Sequence, residues 1–245
     1  MFYPHLLNIK KSDFVLEIGP GAYPHWRSDC LVDRFDNSPG ADISQFGGAP
    51  HQTMGKPLFC IDGPILPFRD KAFDYLICSQ VLEHVPEQDL PVLVSEMNRV
   101  AKRSYIEVPR PVFDLVYDFD VHLNLMDIVA GTIVSLSKEK TNLHKVKLFT
   151  QYALGLRKFQ GLSIEKVSTN AVAVGMEFLD DYQVKICDCE EEFFELISKN
   201  IVNIPIPTLS WRIKHSIARI AYGYRRHPSR KKITSLLSDS SKSLR

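Results

Sequence analysis

The residues best suited to chemistry are a spaced set of acids and glycines. Val15-Leu16-Glu17-Ile18-Gly19-Pro20-Gly21 is an apolar run broken by one acid and ending in a glycine loop. Asp33 closes the apolar run Cys30-Leu31-Val32, and Asp62-Gly63 follows Leu58-Phe59-Cys60-Ile61. Ser79 ends the run Tyr75-Leu76-Ile77-Cys78. Glycine lets a backbone approach a ligand closely. Carboxylates at strand ends offer paired hydrogen-bond acceptors. In this order and spacing the set outlines a nucleotide-type pocket at the edge of a parallel sheet.

The elements that must position these groups follow from pattern. Short apolar runs at Phe14 to Ile18, Cys30 to Asp33, Leu58 to Asp62, Phe73 to Cys78 and Ser104 to Val108 predict five strands. Between the last two, Leu90, Leu93, Val94, Met97 and Val100 recur at helical spacing and predict a crossover helix over residues 88–101. Residues 36–57, rich in Gly, Pro, Ser and Asn, predict a loop-rich connection. Strands alternating with helices imply an α/β fold with a doubly wound, mostly parallel sheet. Glu17, Asp33, Asp62 and Ser79 then fall at the carboxyl ends of its strands, where such sheets bind ligands.

Residues 110–150 carry Phe113, Tyr117, Phe119, His122, His144 and Phe149 without a clean period, and predict a lid or substrate-facing insertion. Two further strands are expected at residues 162–167 and at Phe178 to Ile186, closing the sheet with an antiparallel edge. A short acidic helix is expected at Glu190 to Ser198, and Pro205 and Pro207 mark a linker. The expected organisation is a ligand-binding domain over residues 1–187, including the insertion, and a helical, basic extension over residues 188–245.

Composition limits the function classes. The chain has 245 residues, 44% of them apolar, enough for a sizeable core. Its net charge of +1 argues against a protein built to coat nucleic acid. The five cysteines are odd in number and scattered, so a reducing cytoplasm is expected, with Cys60 and Cys78 as small core hydrophobes. No run of about 20 apolar residues predicts a membrane span. Residues 208–232 are basic and amphipathic, with Ile213, Ile217, Ile220 and Tyr224 at helical spacing. Three readings are weighed: packing of the stripe on the main domain or a second subunit, peripheral contact with anionic lipid, and, third for want of supporting aromatics, nucleic-acid binding.

The glycine loop reads Gly19-Pro20-Gly21-Ala22-Tyr23-Pro24, without the third glycine of the dinucleotide fingerprint, and no phosphate-binding loop with its lysine is present. The ordered set instead resembles class I S-adenosylmethionine-dependent methyltransferases, the type 11 group in particular. The resemblance rests on residues 15–21, on Asp33, on Asp62 to Phe68 followed by Phe73-Asp74-Tyr75, on Ser79 to Val85, and on Glu96-Met97-Asn98-Arg99-Val100.

It implies a Rossmann-like methyltransferase fold with an antiparallel final strand, and S-adenosylmethionine as cofactor. It also implies roles. Asp33 takes the ribose diol, and Asp62 and Gly63 the adenine. Gly19 and Gly21 approach the methionine part, while Glu17 and Ser79 bind the amino-acid tail. Methyl transfer needs a general base only where the acceptor must lose a proton. Candidates are His84, His122, His144 and Glu107, with His122 and His84 preferred as catalytic residues; Arg110 either holds an anionic acceptor or is simply solvated. Glu83-His84 is similar to the end of the metal-binding Glu-x-x-Glu-His of quinone methyltransferases, but Gln80 stands in place of the first acid. No metal site is expected. The expected acceptor is a small molecule or a sugar-containing intermediate. RNA methylation and an inactive, cofactor-binding partner protein are the alternatives.

Overall fold

The computed structural model describes residues 7–35, 53–117, 119–142, 173–198 and 237. At its centre lies β1 (Val15–Ile18), every residue of it buried. β2 (Cys30–Asp33) and β4 (Tyr75–Ser79) flank it in parallel, with β3 (Leu58–Cys60) beyond β2 and β5 (Ser104–Pro109) beyond β4. Strands covered on both faces need apolar residues on both, which explains the unbroken runs that made them legible. β8 (Ala173–Phe178) pairs antiparallel with β5, completing a six-stranded sheet of order β3-β2-β1-β4-β5-β8. The chain leaves β1 toward β2 and β3 and returns to β4, so the switch point lies between β1 and β4.

α1 (Leu90–Val100) is the expected crossover between β4 and β5. It buries the predicted stripe, Leu90, Leu93, Val94, Met97 and Val100, against Leu16, Ile18, Leu76, Cys78, Ile106 and Val108 of the sheet. On the opposite face Val15, Tyr75, Ile77 and Tyr105 meet Leu7 and Ile9.

No helix joins β1 to β2; residues 19–29 form turns and loop. Gly19 and Gly21 adopt positive φ (62° and 55°), and Pro20 and Pro24 remove amide donors from what would be the first helical turn. The strand expected from Phe178 to Ile186 as the antiparallel edge shrinks to its last four residues and lies in another sheet, while the antiparallel edge is the strand before it, β8. β8 ends at Phe178, Leu179-Asp180-Asp181 turns the chain, and β9 (Gln183–Ile186) joins a second sheet.

That second sheet is the structure of the expected insertion. After α2 (Pro111–Tyr117), β6 (Asn124–Val129) and β7 (Thr132–Ser137) form a hairpin, and β9 runs parallel to β7. Ala130 and Gly131, both at positive φ (49° and 83°), make the two-residue turn that suits a tight hairpin. α3 (Glu190–Ser198) forms where expected. It packs Phe193 and Ile197 on Leu125, Val134, Leu136 and Cys187, across the expected boundary between residues 187 and 188.

No disulfide joins the five cysteines among the described residues, and Cys60 is exposed rather than a core hydrophobe, because β3 lies at the sheet edge. The strand expected at 162–167, His144, the linker prolines and the basic segment 208–232 lie outside the described residues. No helix among the described residues is long and apolar enough to cross a membrane.

Candidate functional site

A cleft opens over the carboxyl ends of β1, β2 and β4, lined by Gly19, Gly21, Asp33, Asp62, Gly63, Gln80 and His84. Five of the seven expected cofactor residues thus share one wall system. The Gly19 amide donates to Val32 O (2.8 Å), folding the loop back over β2. A Cβ at Gly19 would lie 2.3 Å from Val81 Cγ2, so only glycine fits between β1 and the segment after β4. Asp33 is buried and its Oδ1 accepts from the Phe35 amide (3.2 Å). Asp62 is exposed and pairs with Arg34 Nε (3.0 Å). Val32, Phe35, Ile61, Leu66 and Val81 supply apolar wall.

Glu17 and Ser79 do not line the cleft. The Glu17 carboxylate accepts from Ser28 Oγ (2.5 Å) and from the His25 amide (2.8 Å), tying down the β1–β2 connection. Burial raises its pKa and the Ser28 hydroxyl opposes that rise. Ser79 Oγ donates to Glu107 Oε1 (2.6 Å), and Tyr105 Oη donates to the other oxygen (2.8 Å), so Glu107 is engaged too. The polar group at this end of β4 is Gln80, which the sequence reading passed over. It sits at positive φ (58°), lines the cleft, and its buried Nε2 finds no hydrogen-bond partner among the described residues. Gln80 stands one residue past the end of β4 in a left-handed conformation, where strand alternation no longer sets the side chain's direction, so the sequence pattern holds no signal that separates it from Ser79.

The Asp62-Gly63-Pro64 rim is held from below. Arg99 of α1 binds Glu96 through Nε and an Nη (2.6 and 2.7 Å), Asp70 (2.8 Å), and the carbonyls of Leu66 (2.9 Å) and Phe68 (2.7 Å). Glu96 Oε2 in turn accepts from the Leu66 amide (2.9 Å). Two quoted sequence blocks, Leu66-Pro67-Phe68 and Glu96 to Arg99, are therefore one clamp. Asn98 completes this side by donating to Tyr182 O (2.8 Å) ahead of β9.

The histidines meet on the far side. Leu82–His84 is a single 3-10 turn after β4, and the insertion docks on it. The Leu123 amide donates to Glu83 O and Asn124 Nδ2 to Val85 O, each at 2.7 Å. His84 and His122 thereby lie ring to ring, with centroids 4.8 Å apart and nearly perpendicular. His84 Nδ1 lies 2.8 Å from Val121 O, an acceptor only, so this nitrogen carries the proton. His122 Nδ1 lies 2.9 Å from Asp114 Oδ1, which also pairs with Lys138 Nζ (2.8 Å).

Burial lowers the His84 pKa, partly offset by Val121 O. Glu83 beside it is fully buried, and burial raises its pKa well above the ordinary value. His84 lines the cleft; His122, only 8% exposed, stands behind it. Arg110 is not solvated: it is partly buried and its guanidinium reaches Asp127 of β6 (3.4 Å).

This donor set fits an adenosine-type cofactor with an amino-acid tail. The glycine loop leaves room for close backbone approach, Asp33 offers a carboxylate at the end of β2, and the buried Gln80 amide awaits a partner. Residues 31–104 match the family model of a methyltransferase domain. No curated protein matches the chain significantly. Among solved structures, a Pyrococcus horikoshii protein is 20% identical, with 44% of this chain and 54% of that one covered and a TM-score of 0.35. An S-adenosylmethionine-dependent methyltransferase from Methanosarcina mazei is 15% identical, with 50% and 69% covered and a TM-score of 0.33. One from Thermotoga maritima is 19% identical, with 43% and 46% covered and a TM-score of 0.31. The chain thus spans about half the length of the first and last of these. Asp33, Asp62, Gln80 and His84 all lie within the matched segment, which is similar to a methyltransferase domain.

Proposed function

We propose that the chain transfers the methyl group of S-adenosylmethionine to a small-molecule acceptor, sugar-containing molecules included, held against the His84 wall of the cleft. The observation that carries this reading is the meeting of Gly19, Gly21, Asp33, Asp62 and Gln80 in one cleft that His84 also lines, alongside Arg34 and Asp89. The bound cofactor supplies a sulfonium methyl, already activated for displacement. The chain's task is to position reactants and exclude water.

In this reading Asp33 holds the ribose diol, and Asp62 with the Gly63 backbone holds the adenine. The Gly19–Gly21 loop and the Gln80 amide hold the amino-acid tail. Glu17 and Ser79 act one layer back, through the β1–β2 connection and Glu107. His84 and His122 stand on the acceptor side. His84 has Nδ1 committed to Val121 O and keeps Nε2 for a hydroxyl or amine of the acceptor, while His122, with Nδ1 on Asp114, packs behind it.

Titration calorimetry with S-adenosylmethionine tests the first half: binding is expected, and it weakens at least tenfold in Asp33→Ala. Methyl label offered with a small-molecule panel and with total RNA tests the second. Label on small molecules is the expected result. Label confined to RNA, or cofactor binding with no transfer to either pool, overturns the acceptor reading in favour of an RNA methyltransferase or an inactive partner protein.

A further inference from the structure

We propose that Glu83, His84 and His122 form a binding site for a divalent transition-metal ion, with Zn²⁺ the ion their chemistry fits best. One donor atom from each of the three side chains lies within 4.8 Å of the others. A second observation points independently to a missing cation. The Glu83 side chain is wholly buried, and neither carboxylate oxygen finds a hydrogen-bond partner among the described residues. The approach it does have is His84 Nε2 at 3.8 Å from Oε1, beyond hydrogen-bond reach. Buried carboxyl groups are paired or ligate metals far more often than they stand alone.

The surroundings of the two rings fit ligation. Metal-bound histidines donate the other ring nitrogen to a carbonyl or carboxylate, which fixes the tautomer and aims the ligand atom. His84 makes this contact with Val121 O, and His122 makes it with Asp114, itself held by Lys138. Both rings are left with Nε2 as ligand. Two imidazoles and one carboxylate form a zinc donor set that leaves a further position open. Zinc–ligand bonds of about 2.0–2.2 Å place tetrahedral donors roughly 3.4 Å apart, so donors that now lie up to 4.8 Å apart need to close by up to about 1.4 Å. His84 lines the cleft, so the open position lies on the acceptor side. In the loaded protein an acceptor oxygen or nitrogen would meet the ion rather than His84 Nε2.

The site is assembled from two distant segments. Glu83 and His84 come from the turn after β4, and His122 from the insertion, docked through the Leu123 and Asn124 hydrogen bonds. Its existence does not depend on methyl transfer, and its test uses no cofactor.

The test is equilibrium dialysis of the full chain, stripped with chelator, against Zn²⁺, with metal measured by mass spectrometry. One ion per chain is expected. His122→Ala and Glu83→Gln are each expected to lose at least a hundredfold in affinity, and Asp114→Asn about 10- to 100-fold as a neighbour of the ligand shell. Circular dichroism identifies which variants fold; a folded Glu83→Gln that keeps wild-type affinity overturns the site. Zinc-edge X-ray absorption on the unaltered protein covers the case in which the variants fail to fold. Two imidazoles with oxygen support the site; a sulfur shell assigns the ion to cysteine and overturns it. Wild-type protein that takes up no zinc overturns it as well.

Discussion

Asp33 and Glu17 are buried acids on neighbouring strands, and the structure gives them different work. Asp33 lines the cleft, whereas Glu17 spends its oxygens on Ser28 and the His25 amide. Asp33→Asn is therefore expected to weaken S-adenosylmethionine binding about tenfold, or roughly 1.4 kcal/mol, with little change in urea midpoint. Glu17→Gln reverses the pattern, because its amide would turn a donor toward groups that already donate. It is expected to cost about 1–3 kcal/mol of stability, while cofactor affinity in the folded fraction moves by less than a factor of about three, about 0.7 kcal/mol. Paired calorimetry and urea unfolding check both; equal losses of affinity in the two variants would remove the distinction. The sequence carried the acid and glycine positions because strand ends are readable. It did not carry which way each side chain turns. Ser79 was chosen over Gln80 although only the latter lines the cleft, since Gln80 follows the end of β4 at positive φ, where the period of the strand no longer tells which way a side chain turns. His122 was chosen by its residue type and its place in the expected insertion. Its partners, Asp114 at eight positions' distance and His84 at 38, become neighbours only through tertiary docking.

Among the elements, α1 shows how a pattern can be right and its purpose hidden. Its apolar stripe predicted burial correctly, but its polar residues build the clamp on the 66–68 segment. The guanidinium of Arg99 holds the Glu96 carboxyl below its ordinary value of 4.5. An acid whose folded pKa is depressed stabilises the fold above its unfolded pKa. That contribution is lost as pH falls from about 4.5 through the folded value. Arg99→Gln removes charged hydrogen bonds worth about 1.5–3 kcal/mol, and a loss in that range is expected at neutral pH. Between the ordinary glutamate pKa and the depressed one, stability should fall less steeply with acid in the variant than in the wild type. Urea midpoints measured from pH 7 down to pH 3 check this, and parallel curves would show that Glu96 is not held by Arg99. The β6–β7 hairpin was missed for a related reason. Asn124 to Ile128 are all buried, and so are Ile133 to Leu136, so the period-two alternation that marks a strand is absent. The one local signal was Ala130-Gly131 between two apolar runs.

At the scale of the molecule, the two sheets share a single core. Met126, Ile128 and Ile133 of the hairpin belong to the same buried cluster as Leu76 and Ile106 of the central sheet and Leu90 and Met97 of α1. The Leu82–His84 turn lies between them, bonded to the hairpin through Leu123 and Asn124. An insertion that contributes core residues cannot open independently at low cost, because opening would expose the apolar surface it shares. The hairpin is therefore expected to behave as a wall of the site and not as a hinged lid. Met126→Ala removes a fully buried side chain and is expected to cost about 2–5 kcal/mol. The loss should lower protection of β1 and β4 as much as that of β6 and β7. Hydrogen exchange across a urea series, read peptide by peptide, makes the comparison: coincident midpoints in the wild type and an equal shift for both sheets in the variant are expected. A hairpin that exchanges well before the central sheet would instead mean that His122 reaches His84 in only part of the population. The acceptor wall would then form and dissolve with the insertion, and both acceptor affinity and metal affinity would be reduced by the fraction in which it is formed.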